Sequence, residues 1–388
     1  MQTIKIAFIG DFQISDNYPN TKNLISAVRR DERFDVVSCE GGNRATTRIY
    51  MPCSGKISKL FSLVRMFFLA LKSVVRINGK TLSKCDAIYI PYPSLLVLLC
   101  YSFFGKSKDR PLIVVDCFIS IYDTVVMDRK VIVEGGFLAK LLLWLERRSI
   151  TAANIVLADT PVNATYLFDL FGGEKQKYQP MNLCINESLF KPMSTQMHDS
   201  KTVLFVGSFV PLQGVDVVVD AAILLADRTD IKFMLVGDGQ TAPDVESQLA
   251  SSKANIEWLR NWHSIEKISE TYDNADVCLG IFGDTNKTYR VLPYKAYMAM
   301  ACGKALISSR VEDGVIRESD MPFLALPSNS GQELASKIIE LIDSSELRKK
   351  YSQKAKTYYK QHLSNERAVD GLHSLLLSHI TKAAKTKA

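Results

Sequence analysis

GIFGDTNKTYRVLPYKAYMAMACGK, Gly280–Lys304, is the stretch on which the reading of this chain turns. A short apolar strand leads into a polar loop that holds Arg290. A helix follows, which Pro293 can open at its first position. Proline suits that position because its missing N–H would have had no partner there. A helix N-terminus presents free backbone N–H groups and the positive end of the helix dipole, a ready place for phosphate. Arg290 lies just before that end and Lys295 in the first turn, so the segment predicts a cradle for a dianionic group. The plainer alternative is an ordinary strand–loop–helix with two solvated basic residues.

Outward from this stretch, short β-branched runs alternate with longer amphipathic runs, the pattern of parallel sheets covered by helices. In the first half the pattern predicts strands at 5–9, 35–38, 87–90, 112–115 and 155–158, and helices at 22–29, 57–76, 94–104, 136–152 and 162–171. Thr160 can cap the last of these, with Pro161 at its first turn. The polar stretch 189–200 with Pro192 reads as an interdomain linker. The pattern then restarts, with strands at 202–206, 231–236, 256–259, 277–281, 305–308 and 323–325. Helices are predicted at 215–226, 242–251, 265–272, 294–301, 332–343, 346–362 and 365–382. The fold class is therefore α/β, two doubly wound Rossmann-like domains facing a central cleft. Their predicted bounds are 1–190 for the first domain, 201–362 for the second, and 363–388 for a last helix with a basic tail.

Composition is ordinary for globular chains: 388 residues, 47% hydrophobic and 23% charged, with a net charge of +7. That charge fits nucleotide phosphates, membrane headgroups or other polyanions and does not by itself imply nucleic acid. The eight cysteines are scattered without a C-x-x-C pair, which fits buried free thiols in a cytoplasmic setting. MQTIKIAFIGDF at the start reads as a first strand rather than a signal peptide. The uncharged run 87–105 approaches the length of a membrane span, but its prolines split it into a strand and a buried helix.

Loops beyond the carboxyl ends of strands carry ligand sites in open α/β sheets. Three such loops in the second half have suitable chemistry: Val206–Gly214, Val236–Gln240 and the loop after the strand at 277–281. At these residues the chain resembles the retaining glycosyltransferases of family 4, which have the two-domain GT-B fold. The resemblance rests on FVGSFVPLQGVDVVVDAA, FMLVGDGQ, ADVCLGIFG, RVLPYKAYMAMACGKALISS and RKKYSQKAKTYYKQHLS in the second half. In the first half it rests on ISIYDTVVMDR and ANIVLADT. It implies a donor site for a nucleotide diphosphate sugar at Gly207, Ser208, Phe209, Gln213, Gly214, Gly237 and Met298. Arg290 and Lys295, with the N–H groups of the 207–209 loop, would stabilise the leaving diphosphate.

The departures from the family pattern are specific. Many members carry two glutamates separated by seven residues, and here Arg290 and Met298 stand in their places. The commonest first glycine loop has an arginine after its glycine and a lysine before the second. Here those positions hold Ser208 and Gln213.

The five histidines lie at 198, 263, 362, 373 and 379, none in the acceptor-side half, and no nucleophile–base pair of a hydrolase is visible. No D-x-D pair is present to hold a metal–diphosphate, so transfer without metal or other cofactor is expected. Gly10, Asp11, Asp116, Tyr122 and Asp123, with Asp128, are the acceptor-side candidates for hydroxyl contacts. For each, a strand-end or helix-cap role is the plainer alternative.

No acidic residue occurs between Gly41 and Cys85, and the apolar run Leu60–Val75 there has basic flanks. That combination predicts an interfacial helix on an anionic membrane surface, with a core helix bearing a solvated basic face as the alternative. The expected partners are a nucleotide-sugar donor, a glycan or lipid-linked acceptor and that membrane surface, with no nucleic acid. Surface polysaccharide assembly is the expected setting. The rival readings are a non-catalytic GT-B-like partner of an active transferase and a GT-B-shaped sugar-nucleotide epimerase.

Overall fold

The computed structural model describes all residues except 1–2, 11, 13, 17, 41–55, 94, 106–109, 193–200, 251, 262, 313 and 388. For 40, 56–65, 383–384 and 386–387 it describes the backbone alone. Asp11, His198 and most of the expected linker thus lie outside the described residues. So do the side chains that open the basic stretch. The chain divides into two compact units. The first holds Met1–Val126, Lys130–Cys184 and Asn365–Ala388; the second holds Met127–Arg129 and Ile185–Ser364.

The first unit runs β1 (Ile4–Ile9), α1 (Pro19–Arg30), β2 (Phe34–Glu40), α2 (Lys56–Ile77), β3 (Ala87–Ile90), α3 (Leu95–Phe104) and β4 (Leu112–Asp116). It continues with α4 (Phe137–Thr151), β5 (Ile155–Ala158), α5 (Pro161–Phe171) and β6 (Tyr178–Pro180). Its strands form one parallel sheet in the order β2-β1-β3-β4-β5-β6. Every residue of β3 and β5 is buried, as strands covered on both faces require. One face packs against α2, α3 and α5 through Val74, Leu98, Tyr101 and Leu167. The other packs against α1 and the terminal helix Asn365–Lys387, through Leu24, Val28, Leu372 and Leu376. Arg33 ties that helix down, its Nη2 lying 2.6 Å from Asp31 and 2.7 Å from Asp370. These pairs are partly exposed and contribute about 1 kcal/mol or less each. Burial of the helix's apolar stripe does more to fix it: Ala368, Val369, Leu372 and Leu376 belong to the first unit's core.

The second unit runs β7 (Lys201–Val206), α6 (Val215–Leu224), β8 (Ile231–Val236), α7 (Ala242–Leu249), β9 (Ile256–Leu259), α8 (Ile265–Asp273) and β10 (Val277–Leu279). Then come α9 (Asn286–Arg290), α10 (Tyr294–Ala301), β11 (Ala305–Ser309), β12 (Leu324–Leu326), α11 (Gly331–Asp343) and α12 (Ser345–Tyr358). Its parallel sheet has the order β12-β11-β10-β7-β8-β9. Read from β9, this is the 3-2-1-4-5-6 order of dinucleotide-binding sheets, and the order reverses between β7 and β10.

Thr160 caps α5 as expected, its hydroxyl accepting from the Asn163 N–H, with Pro161 next. Pro293 differs from expectation. It is the N-cap of α10, with ψ at 149°, and the helix begins at Tyr294. The polar loop expected around Arg290 is instead the short helix α9, with Arg290 as its last residue. The helix expected over 346–362 ends as α12 at Tyr358 and continues as a wider π-turn over Tyr359–Leu363. Among the described residues no helix is long and apolar enough to cross a membrane, and the run 87–105 is indeed a strand and a separate helix.

Candidate functional site

The loop after β7 and the loop after β10 meet at the point where the strand order reverses. The Phe282 N–H donates to the Gln213 carbonyl and the Gly283 N–H to the Leu212 carbonyl, both at 3.1 Å. Only glycine permits this closeness. A Cβ on Gly214 would lie 2.4 Å from the Phe282 carbonyl carbon, and one on Gly283 would lie 2.2 Å from the Pro211 oxygen. The loop after β8 closes in from the other side, where a Cβ on Gly237 would come 1.7 Å from the Gly207 oxygen. Gly237 has φ of 129°, and Gly214 sits at 57° in the left-handed region. Asn329, beyond β12, braces the rear of this arrangement. It donates to the Gly283 carbonyl at 3.2 Å and accepts from Ser309 at 2.7 Å.

Phe209 is the strained residue of the first loop, a non-glycine at φ 43°. Its ring is core, stacked on Trp258 at 5.4 Å and set against Phe205 at 6.0 Å. Its carbonyl accepts from the N–H and hydroxyl of Thr241. These contacts hold a conformation that would cost about 1–3 kcal/mol by itself. They also turn the Phe209 N–H toward the Gln213 side chain, whose Oε1 accepts it at 3.2 Å. Gln213 Nε2 in turn reaches the Ser208 hydroxyl at 3.4 Å. The Gly207 N–H belongs to the sheet, donating to Val236 at 2.9 Å, so it does not join the loop's free donors as expected from sequence.

Lys295 comes up beneath this loop from α10. It is buried, unlike the solvated basic residue of the plainer alternative, because α10 is enclosed from Lys295 through Ala301. Its Nζ sits 3.7 Å from the centre of the Phe205 ring and 2.9 Å from where a Gly207 Cβ would stand. The Gln213 Oε1 approaches that same point to 2.0 Å. The ammonium has no hydrogen-bond partner. Burial drives its pKa well below the usual lysine value. An unpaired amine in such a place is costly, and an anion beside Gly207 would relieve it. Arg290 is also buried, at 2% exposure, with its Nε on Asn286 at 3.2 Å. Its helix α9 packs against the Pro211–Gln213 turn. Met298 lies on α10 one turn beyond Lys295 and is buried. Ser208 is exposed at the loop's tip.

In the first unit Gly10 follows β1 and Asp116 ends β4. Asp116 is fully enclosed. It accepts from the Tyr92 N–H at 2.5 Å and the Tyr89 hydroxyl at 3.3 Å, and burial pushes it up to about 7. It therefore acts here as an anchor for the turn after β3. Between its ordinary value of 3.8 and about 7, the folded chain keeps a proton that the unfolded chain has lost, so this group's contribution to stability falls as pH rises through that window. Asp116→Asn is expected to raise the melting temperature by at least ~2 °C at pH 8, with the gain shrinking toward pH 4. Equal melting at pH 8 would show that burial does not raise the carboxyl above its ordinary value.

Tyr122 and Asp123 are not set out for hydroxyl contacts as expected. Tyr122 packs in an apolar cluster with Val126 and Ala139, and Asp123 is buried at the start of a π-turn over Asp123–Asp128. Glu146 of α4, missed in the sequence, anchors the residues that lead into this turn. Its carboxylate accepts from the Ser120 hydroxyl at 2.9 Å and the N–H groups of Ile121 and Tyr122 at 2.7 and 2.8 Å. As the single acid of an otherwise apolar and basic helix, it was the available signal.

The profile of the family described as "Glycosyl transferases group 1" matches residues 200–344, which contain the three loops, Arg290, Lys295 and Met298. A glycosyltransferase of Methanocaldococcus jannaschii, itself uncharacterised, is 29% identical over 173 residues, covering 44% of this chain and 46% of that protein. The D-inositol 3-phosphate glycosyltransferase of Streptosporangium roseum is 25% identical over 185 residues, 43% of this chain and 41% of its own length. The chain thus spans under half the length of these two relatives. Among solved structures, Anabaena HepE in complex with UDP-glucose superposes with a TM-score of 0.67 at 15% identity, covering 97% of this chain and all of that one. Sucrose-phosphate synthase from Thermosynechococcus elongatus gives 0.69 at 15% identity over 99% of this chain and all of that one. The chain has the GT-B fold of two Rossmann-like domains, and its second unit is similar in sequence to group 1 glycosyl transferases.

Proposed function

We propose that the chain is a retaining glycosyltransferase of the family 4 kind. It would move a sugar from a nucleotide diphosphate sugar to a glycan or lipid-linked acceptor in surface polysaccharide assembly. The observation that carries this reading is the Lys295 amine, buried without a partner beside Gly207 at the point where the second sheet reverses its order. The similarity of residues 200–344 to group 1 glycosyl transferases supports it, as does a neighbour of the same fold solved with UDP-glucose.

When the anomeric C–O bond breaks, its electron pair goes to the departing diphosphate. Lys295 and Arg290 stabilise that charge. Retention follows if the acceptor oxygen attacks from the face the diphosphate leaves, with the phosphate taking the acceptor's proton. No protein base is then required. The first unit sits against the inner face of an anionic membrane, with α2 as one contact.

Incubation with a panel of nucleotide sugars, followed by nucleotide release and by thermal shift, tests the reading. One donor is expected both to raise the melting temperature and to turn over. A thermal shift without release or transfer would favour the non-catalytic partner instead. Excess chelator is expected to leave transfer intact, because charge neutralisation is assigned to Lys295 and Arg290. Loss on chelation with recovery in magnesium or manganese would overturn metal-independence.

A further inference from the structure

We propose that the outer face of α4, with the adjoining ends of α3 and α2, is a lipid-inserting surface for an anionic bilayer. This rests on the reading of membrane attachment above and extends the contact beyond the basic stretch that first pointed to it, onto α4 and α3. Phe137 is 79% exposed, Leu138 61% and Trp144 55%, and Leu141 is exposed as well. Positions 137, 141 and 144 recur at helical spacing and form one stripe. The stripe lies opposite the buried Ala139, Glu146, Ser149 and Ile150. A helix packed on a sheet ordinarily turns polar residues to water at such positions. Here the polar residues between the apolar ones are basic: Lys140 and Arg147 are exposed on the same turns. The one acid of α4, Glu146, is buried and occupied by backbone N–H groups.

The neighbouring helices repeat the combination. α3 packs against both α2 and α4. It ends in Phe103 and Phe104, which are 55% and 60% exposed, and Arg148 lies over the Phe103 ring at 4.8 Å. On α2, Phe68 and Val75 are 65% and 71% exposed, and Lys72 and Arg76 share that exposed side. Large apolar side chains with a tryptophan among them, set among lysines and arginines, fit the headgroup–acyl boundary of an anionic membrane. A second copy of the chain is a poor occupant. A two-fold contact would set this basic face against itself, and like charges across an interface repel. Glu134, just before α4, is the exposed acid nearest the stripe in sequence.

The test uses the full chain and vesicles of phosphatidylglycerol and phosphatidylcholine. With brominated acyl chains, Trp144 fluorescence should be quenched in the anionic vesicles and little in pure phosphatidylcholine. Trp144→Phe should abolish most of that quenching, since the other two tryptophans, Trp258 and Trp262, belong to the second unit. The triple variant Phe137→Ser, Leu141→Ser, Trp144→Ser should lower vesicle partitioning at least ~10-fold while keeping the wild-type melting temperature. Lys72→Glu with Arg76→Glu forms a separate arm. If wild type partitions but Trp144 is not quenched and the triple variant partitions as wild type does, this inference falls while attachment through α2 stands. If wild type ignores anionic vesicles at low salt, both fall. A concentration-dependent dimer in light scattering that the triple variant loses would assign the face to a protein contact and overturn the proposal.

Discussion

Replacing Lys295 by methionine is expected to lower sugar transfer by about a hundredfold or more, the usual cost of losing a preorganised charge donor. The same change is expected to raise the melting temperature of the ligand-free protein. The two signs come from one feature. The amine lies over the Phe205 ring with no hydrogen-bond partner, so its charged form is disfavoured in the empty site. Methionine fills much of the same volume with no group to desolvate. The stability gain should be largest at low pH. There the unfolded lysine is fully charged and the folded one must be charged too, and the penalty fades as pH rises toward the ordinary lysine value. Alanine should show the same loss of transfer without the gain in stability, because it leaves a cavity. Steady-state transfer and thermal melts on the three proteins decide the matter. Wild-type turnover in both variants would remove Lys295 from the chemistry. A drop in melting temperature for the methionine variant that tracks its loss of activity would make it a structural residue.

Burial is what the sequence could not reveal about this lysine. A charge in a short helix reads as a mark of the solvent side, and only the sheet behind α10 shows otherwise. Alternation of β-branched and amphipathic runs, in contrast, was enough to locate both parallel sheets, since strands covered on two faces leave unbroken apolar runs. It failed where an element is too short to show a period. The five-residue α9 read as loop, and the edge strand β6, ending in Pro180, was not predicted. The terminal helix was legible as a helix, but its attachment to α1 depends on side chains hundreds of residues apart in sequence. The exposed stripe of α4 was hidden for the opposite reason. The helix is apolar on more than one side, so its pattern alone does not say which apolar residues are buried.

Gly237→Ala is expected to be the most damaging single-methyl change in the second unit. At Gly214, Gly237, Gly239 and Gly283 the first atom an added Cβ would meet belongs to another loop's backbone. At Gly237 two costs coincide: a φ of 129°, which L side chains rarely adopt, and a Cβ 1.7 Å from the Gly207 oxygen, a backbone atom with no rotamer to yield. Together they should cost about 3 kcal/mol, or roughly 6–12 °C in melting temperature. Any relief must come from moving Gly207 off Lys295, so nucleotide-induced stabilisation should be lost with it. Gly283→Ala separates the two costs, since its Cβ would meet the Pro211 oxygen at 2.2 Å at a position without the unusual φ. Gly172→Ala in the first unit is the complement. It has φ of 75° but open space around it, so about 1 kcal/mol and an unchanged nucleotide response are expected. If Gly237→Ala melts like Gly172→Ala and still responds to nucleotide, the contact between the two loops does not set the site, and the position of Lys295 relative to Gly207 would need another cause.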